Sequence, residues 1–379
     1  MDSEKKGRGS LMHILILEAY DNGSHKQFLD GLTANSRHSF SRLGLPARKW
    51  KWRMRGSAIY FAQQLESGHC PDINDIDLIF TSDMTAVADL RALLPNALKD
   101  KPIICYFHEN QLTYPMPDES QRDYQYGFTN ITSCLAADAV WFNSRYHLES
   151  FLEAVEALLK KMPDYVPAGI AETINRRATV MPLGLSPELF QLPAKSKSKT
   201  KSPPAILWNH RWEYDKNPDE FFEVLFDLDR MGVEFRLIVA GENFRTAPPI
   251  FAAAKNVLAD HIDHFGYVSD LCEYQKLIGV CDIVVSTSIH EFFGLSVLEA
   301  IAAGCCPLLP NRLSYPELIC AKFHHRYLYD NRIELREKLI ELLTNPIAPL
   351  PEQLSQRVSE LAWPDLIGKY DDAFDCAVS

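Results

Sequence analysis

The feature that most constrains the fold is a series of short apolar runs separated by longer stretches of helical character. In the first half they are M-H-I-L-I-L (Met12–Leu17), D-L-I-F-T-S (Asp77–Ser82), P-I-I-C-Y-F (Pro102–Phe107) and A-V-W-F-N-S (Ala139–Ser144). In the second half they are A-I-L-W-N (Ala205–Asn209), F-R-L-I-V-A (Phe235–Ala240), D-I-V-V-S-T (Asp282–Thr287) and C-P-L-L-P (Cys306–Pro310). Runs that are continuous rather than alternating belong to strands buried on both faces, and such strands form parallel sheets covered by helices. Stretches such as Ile131–Ala137 and Tyr146–Lys160 supply those helices, so the expected class is α/β with two Rossmann-like, doubly wound domains. A chain of 379 residues is long enough for both cores.

Between the two series, Lys195–Pro204 reads K-S-K-S-K-T-K-S-P-P, without an apolar side chain. It is expected to be an interdomain linker, the alternative being a long surface loop within one domain. The expected domains are 11–192 and 203–350, followed by a terminal segment, 351–379, that holds an amphipathic helix over Trp363–Phe374.

No apolar run approaches the ~18–20 residues of a membrane-spanning helix, and the first ten residues are polar, without the core of a signal peptide. The nine cysteines are scattered, with no C-x-x-C and no zinc-site spacing. A reducing, cytoplasmic location with no membrane partner is expected.

The net charge is −11, which excludes a general nucleic-acid binder because the overall field repels phosphate. The charge is unevenly spread. From Gly31 to Leu65 there is no Asp or Glu, while Arg37, Arg42, Arg48, Lys49, Lys51, Arg53 and Arg55 give +7. At the centre lies A-R-K-W-K-W-R-M-R-G (Ala47–Gly56), in which cations suited to phosphates alternate with Trp50 and Trp52, suited to stacking on bases or sugars. A second stretch, Q-R-D-Y-Q-Y-G-F (Gln121–Phe128), brings Arg122, Tyr124 and Tyr126. The plainer alternative is a solvated face with the tryptophans packed beneath it. The segment holds Pro46 and Gly56 and shows no clear apolar stripe of helical period, which favours RNA over a membrane surface.

Two constellations carry chemistry in the second half. E-F-F-G-L-S-V-L-E places Glu291 and Glu299 either side of Phe293, Gly294 and Leu295, where a tight loop feeds a helix whose free N–H groups suit a phosphate. Eight helical residues span ~12 Å, so the two acids address different parts of one extended ligand rather than the two sides of one bond. One loop acid and one solvated helix acid is the alternative. N-H-R-W-E-Y-D-K-N-P places Arg211 and Lys216 at the carboxyl end of a strand, where open α/β sheets bind ligands, and the two cations suit a diphosphate. A turn pairing with its own Glu213 and Asp215 is the alternative.

In the first half, L-E-A-Y-D-N-G-S-H-K-Q-F (Leu17–Phe28) has Gly23 and Ser24 opening a helix after the first strand, with His25 and Lys26 beside them. Such a turn can approach a phosphate, or can be an ordinary strand–helix turn. Y-F-H-E-N-Q-L-T-Y-P (Tyr106–Pro115) sets His108, Asn110 and Gln111 at the end of a core strand, where many polar groups mark a site. A histidine satisfied within the turn is the alternative.

The order Arg211/Lys216, A-G-E (Ala240–Glu242), F-G-Y-V (Phe265–Val268), D-I-V-V-S-T-S (Asp282–Ser288) and Glu291/Glu299, preceded by V-M-P-L-G-L-S-P-E-L-F (Val180–Phe190), resembles family 4 nucleotide-sugar glycosyltransferases. The resemblance implies a GT-B fold, two Rossmann-like domains facing each other across a cleft, with the terminal helix crossing back to the first. It implies retention of anomeric configuration without a metal or other cofactor, which fits the lack of a suitably placed D-x-D. It gives Arg211 and Lys216 to the diphosphate, Glu291 to the transferred sugar, Glu299 to the donor ribose, and His108 to orientation near the sugar. Gly23, Ser24, Gly241, Tyr267, Phe293, Gly294 and Leu295 complete the implied donor site.

More narrowly, E-A-Y-D-N-G-S-H-K-Q, P-A-R-K-W-K-W-R-M-R, Y-F-H-E-N-Q-L-T-Y-P, R-D-Y-Q-Y-G, H-R-W-E-Y-D-K-N-P and H-E-F-F-G closely resemble the tRNA-queuosine α-mannosyltransferase family, over nearly the whole chain. Membership implies transfer of mannose from GDP-mannose to the cyclopentene-diol of queuosine in the anticodon loop of tRNA-Asp. The implied tRNA-contacting set is His25, Lys26, Arg48, Lys49, Trp50, Lys51, Trp52, Arg53, Arg55, Asn110, Gln111, Arg122, Tyr124 and Tyr126. The alternatives are another hexose donor, a lipid or small-molecule acceptor on the same fold, or a non-catalytic tRNA-binding protein; intact Arg211, Lys216, Glu291 and Glu299 argue against the last.

Overall fold

The computed structural model describes residues 11–69, 73–116, 120, 122–192, 202–243 and 247–378; Gln121 and most of the expected linker, 193–201, lie outside the described residues. The chain forms two compact units, Met1–Gly184 with Trp363–Ser379, and Leu185–Ala362. The division thus falls at Gly184 and Ala362, where the sequence reading drew it at 192 and 350. Residues 185 and 361–362 belong together because Leu185 N donates to the Leu361 carbonyl at 2.8 Å and bridges Ala362 in parallel.

The first unit is built on six parallel strands, β1 (His13–Glu18), β2 (Ser39–Gly44), β3 (Leu78–Ser82), β4 (Ile103–Phe107), β5 (Ala139–Phe142) and β6 (Ala178–Val180), in the order β2-β1-β3-β4-β5-β6. Helices α1 (Gly23–Asn35), α2 (Trp50–Glu66), α3 (Val87–Leu93), α4 (Tyr124–Ala136), α5 (Arg145–Leu159) and α6 (Ile170–Arg177) connect them. On one face α2 to α6 close over Leu15, Leu17, Ile79, Cys105 and Phe107.

Helix α2 corrects the reading of the basic segment, which does carry a stripe of helical period. Met54, Ala58, Phe61 and Leu65, spaced four, three and four apart, are all buried. Pro46 lies ahead of the helix, and Gly56 is tolerated within it because the Trp52 ring crosses that position; a Cβ there would stand 2.8 Å from the indole. The helix starts from Lys49, a non-glycine residue in the left-handed region at φ 55°.

The second unit holds β7 (Ala205–Trp208), β8 (Arg236–Ala240), β9 (Ile262–Gly266), β10 (Ile283–Val285), β11 (Cys306–Pro310) and β12 (Leu328–Tyr329), also all parallel, in the order β12-β11-β10-β7-β8-β9. Its helices are α7 (Pro218–Arg230), α8 (Ile250–Val257), α9 (Leu271–Gly279), α10 (Leu295–Ala302), α11 (Tyr315–Leu318), α12 (His324–Tyr327), α13 (Arg332–Thr344) and α14 (Glu352–Ser359). The fold class is therefore α/β with two six-stranded parallel sheets.

The last helix, α15 (Trp363–Val378), belongs to the first unit. With α1 it covers the sheet face opposite α2–α6, through an aromatic layer of Phe28, Phe80, Trp141, Tyr370 and Phe374. Gly31 and Gly184 admit the Trp363 indole, which a Cβ at either position would strike. Arg37 pairs with Asp371 and Asp375 of this helix, and Arg42 pairs with Asp21 and Asp30. Two of the seven cations in the acid-free stretch are thus neutralised within the fold. The surface cluster is Arg48, Lys49, Lys51, Arg53 and Arg55.

Candidate active site

Ligands of open parallel sheets bind beyond the carboxyl ends of the strands, where the strand order reverses. In the first unit that point lies between β1 and β3, and in the second between β7 and β10.

At the first point β1 ends on Glu18, 2% exposed. One oxygen, Oε1, accepts from Tyr20 N at 2.8 Å and Ser82 Oγ at 2.9 Å, and lies 3.3 Å from His25 Nδ1. Burial alone would raise the Glu18 pKa, but the His25 charge together with the hydrogen bonds from His25, Tyr20 and Ser82 holds it below the usual carboxylate value. Burial pulls His25 down; Glu18, with help from Asp83 and Glu109, overrides it and leaves His25 at about 9. The His25 ring stacks on His108, with centroids 3.9 Å apart and planes at 29°. His108 is held well below its usual value, first by burial and then by His25 and His147. The His108 backbone N–H donates to Asp83 Oδ1 at 2.9 Å, and burial with Glu109 raises Asp83 well above the usual range. Among the described residues, Glu18, His25 and His108 form one set whose potential metal-donor atoms all lie within 4.8 Å of one another. Oε1 of Glu18 already takes three internal contacts and the imidazoles stack face to face, so the trio is built as an ion pair and a stack.

Gly23 and Ser24 open α1, exposed, with Gly23 at φ +52° where only glycine is unstrained. Lys26 is exposed and pairs with Asp30. The structure gives several expected contact residues an internal task. Asn110 is fully buried and its Oδ1 caps Leu112 N and Thr113 N at 3.0 and 2.9 Å. Gln111 donates to Glu109 Oε1 at 3.0 Å, and its N–H reaches Asn130 Oδ1 at 2.8 Å. The Arg122 guanidinium donates to the Gln111 and Tyr114 carbonyls, clasping that turn.

The cation cluster sits on and just before α2. Trp52 is 65% exposed, whereas Trp50 is half-buried against Tyr126, centroids 5.0 Å apart. Lys51 Nζ lies 5.9 Å and Arg55 5.2 Å from the centre of that tyrosine ring. Arg53 is turned back onto the Pro46 carbonyl. Tyr124 is exposed beneath Lys161, while Arg48 and Lys49 are exposed.

In the second unit, β7 leads into Asn209, His210 and Arg211, and β10 into the loop ending at Glu291. Lys216 is buried, and Nζ meets the His290 carbonyl at 2.8 Å, Asp215 Oδ2 at 3.2 Å and Glu291 Oε2 at 3.4 Å. Burial would raise the Glu291 pKa; Lys216, then His210 and His290, bring it to about 2. Burial would lower Lys216, but Glu291 and Asp215 raise it above the usual lysine value. His210 is kept neutral, at about 3, by burial and then by Lys216. Arg211 is exposed and pairs with Glu213 at 3.2 Å. Both pairings of the turn alternative, Arg211–Glu213 and Lys216–Asp215, therefore form, and Lys216 reaches Glu291 besides.

Gly294 is the N-cap of α10 at φ +90°, and a Cβ would stand 3.1 Å from Leu318 and 3.3 Å from Tyr315, so glycine is required twice over. Phe293 is buried and its N–H points to Glu291 Oε1 at 3.4 Å; Leu295 begins the helix. Glu299, one turn on and buried, accepts from Tyr274 OH at 3.1 Å, and Asn209 Nδ2 donates to that hydroxyl at 2.9 Å. Gly241 has a packing reason: a Cβ would strike the His210 carbonyl. Tyr267 is 64% exposed on the loop after β9.

Sequence reasoning missed Glu18, Ser82, Asp83, Asn209, His210, Tyr274 and Arg312, whose guanidinium holds the Thr287 and Ser288 carbonyls at 3.0 Å. The signal for Glu18 and Asp83 was present, an acid at the end of an otherwise apolar run. Tyr274 carried none, because only the fold brings α9 to Glu299.

The family described as tRNA-queuosine alpha-mannosyltransferase N-terminal matches residues 13–185, and the family described as glycosyl transferases group 1 matches residues 192–360. The chain is 37% identical over 344 residues to a Drosophila melanogaster protein named tRNA-queuosine alpha-mannosyltransferase, covering 88% of both chains. A Mycobacterium tuberculosis GDP-mannose-dependent alpha-(1-6)-phosphatidylinositol dimannoside mannosyltransferase is 28% identical over 146 residues, 37% of each chain. Among solved structures, sucrose-phosphate synthase from Thermosynechococcus elongatus has a TM-score of 0.68 at 16% identity, covering 96% of this chain and 98% of that one. A Rickettsia africae glycosyltransferase has a TM-score of 0.63 at 15% identity, covering 97% and 98%.

Proposed function

Because the chain belongs to the tRNA-queuosine α-mannosyltransferase family, we propose that it transfers mannose from GDP-mannose to the cyclopentene-diol of queuosine in tRNA-Asp, with retention of configuration and no metal or cofactor. The observation that carries the reading is the Lys216–Glu291–Asp215 cluster at the β7/β10 reversal, with exposed Arg211 beside it. The bond between the anomeric carbon and the β-phosphate oxygen breaks, and its electron pair leaves with the diphosphate. The queuosine hydroxyl oxygen forms the new bond and its proton passes to the departing phosphate. Fixed cations stabilise the charge that develops on the leaving group.

The geometry divides the cations. Lys216 is buried, with the His290 carbonyl, Asp215 and Glu291 of its own unit within 3.4 Å of Nζ, so its part is to hold Glu291 ionised beside the sugar hydroxyls. Arg211 is the accessible cation and takes the phosphate. Glu299, steadied by Tyr274, takes the ribose.

The acceptor side rests on α2. Its stripe of Met54, Ala58, Phe61 and Leu65 is used by the core, and the outward face offers Lys51, Trp52 and Arg55, with Ile59 and Tyr60 further along. Cations interleaved with exposed aromatic rings support an RNA acceptor. Among the described residues no helix is long and apolar enough to cross a membrane, and the proposed location is cytoplasmic.

A calorimetric screen of GDP- and UDP-sugars tests the donor. GDP-mannose binds in the micromolar range, about −8 kcal/mol, and UDP-glucose at least tenfold more weakly. Tighter binding of a UDP-sugar overturns the donor assignment.

A further inference from the structure

The family resemblance sets His108 beside the sugar and His25 against the tRNA, but His25 is almost wholly buried at the β1/β3 reversal, as is Glu18, to which the resemblance gives no part. A buried carboxylate and a buried imidazole are costly to desolvate, and such groups persist where they are paired and hydrogen-bonded. Here the pairing is specific. Tyr20 N, Ser82 Oγ and His25 Nδ1 converge on the single oxygen Oε1 of Glu18, from the end of β1, the end of β3 and the first turn of α1. The anchored His25 ring then lies flat on His108 at 3.9 Å. The other sides of His108 are set by Phe28, edge-on at 5.2 Å, and Tyr106 at 4.7 Å, while its backbone is held by Asp83 and Asn143.

We propose that Glu18 and His25 are positioning residues for His108: Glu18 anchors His25, and the stacked His25 ring fixes the plane in which His108 meets a sugar hydroxyl. The role of His108 rests on the transfer reading; the Glu18–His25–His108 couple stands on geometry alone.

Two imidazoles this close resist carrying charge together. Glu18, Asp83 and Glu109 face His25, together with the Tyr20 ring, and draw the proton to it. Burial, and then His25 and His147, keep the proton off His108, while Asp83 engages its backbone N–H.

The test is Glu18→Gln, which keeps an oxygen for Tyr20 and Ser82 and removes the charge. In imidazole-nitrogen NMR of the substrate-free wild type, His25 titrates near pH 9 and His108 stays neutral throughout. In E18Q the His25 midpoint falls by about two pH units or more. In transfer assays kcat falls about tenfold with donor KM nearly unchanged, and the rate acquires a pH inflection that the wild type lacks. Should E18Q not fold, Glu18→Asp, which keeps the charge but draws it back from His25 by one methylene, lowers the His25 midpoint by a smaller amount. An unmoved His25 midpoint overturns the couple. A moved midpoint with unaltered kcat and pH profile overturns its part in positioning. Absence of transfer in the wild type counts against the transfer reading and leaves the NMR result to decide the couple.

Discussion

Lys216 shows how far a residue's surroundings define its role. Its ammonium has three N–H bonds, and the His290 carbonyl, Asp215 and Glu291 surround it at 2.8, 3.2 and 3.4 Å. Removing it strands two carboxylates in a low-dielectric site, which typically costs about 3–5 kcal/mol. Lys216→Met therefore lowers the unfolding free energy by about that amount in urea titrations at neutral pH, and a loss under about 1 kcal/mol contradicts the role assigned here. The pH dependence has a definite sign. Glu291 is depressed to about 2 in the folded protein, so its contribution is present above its ordinary value near 4.5 and is lost as pH falls through 2. In the variant that acid-side contribution disappears, and the Glu291 titration moves up toward neutral pH. Sequence alone could pick out Lys216 as a cation near a strand end. It could not show that the cation is buried, because burial here is created by the loop after β10, seventy-odd residues away.

At the scale of elements, what was legible follows from burial. The strands β1, β3, β4, β5, β7, β8, β10 and β11 coincide with the apolar runs because neighbours cover both faces and both edges. The strands that gave no run, β2, β6, β9 and β12, are the four sheet edges. Edge strands such as S-F-S-R-L-G and I-D-H-F-G are half-exposed and alternate with polar residues. Helix α2 was hidden for another reason. Its cations and its two tryptophans dominate the sequence, and its stripe of Met54, Ala58, Phe61 and Leu65 shows only when the register is followed for three turns. The exposed half makes a separable prediction. Replacing Lys51 and Arg55 by Ala reduces the slope of log affinity against log salt by about 1–2 for tRNA, without lowering thermal stability. An unchanged slope contradicts α2 as the RNA face.

At the scale of the whole chain, the first unit is not contiguous in sequence: it needs the last seventeen residues, whose Trp363, Tyr370 and Phe374 complete the aromatic layer over β1, β3, β4 and β5. The net charge of −11 is likewise a property of the sum and not of any face. Acids of α1, α15 and the loop after β1 neutralise Arg37 and Arg42, leaving five cations clustered at α2. A net negative chain with one exposed basic cluster repels nucleic acid broadly and least at that cluster. Transfer of a hexose to queuosine that depends on Glu291 can be measured directly. Purified protein is incubated with GDP-mannose and queuosine-containing tRNA-Asp, and the digested nucleosides are weighed by mass spectrometry, with Glu291→Ala and queuosine-free tRNA alongside. Queuosine gains one hexose with the wild-type protein only, while E291A binds the tRNA as the wild type does. Queuosine left at its own mass by the wild-type protein, or equal modification by E291A, contradicts the proposed transfer.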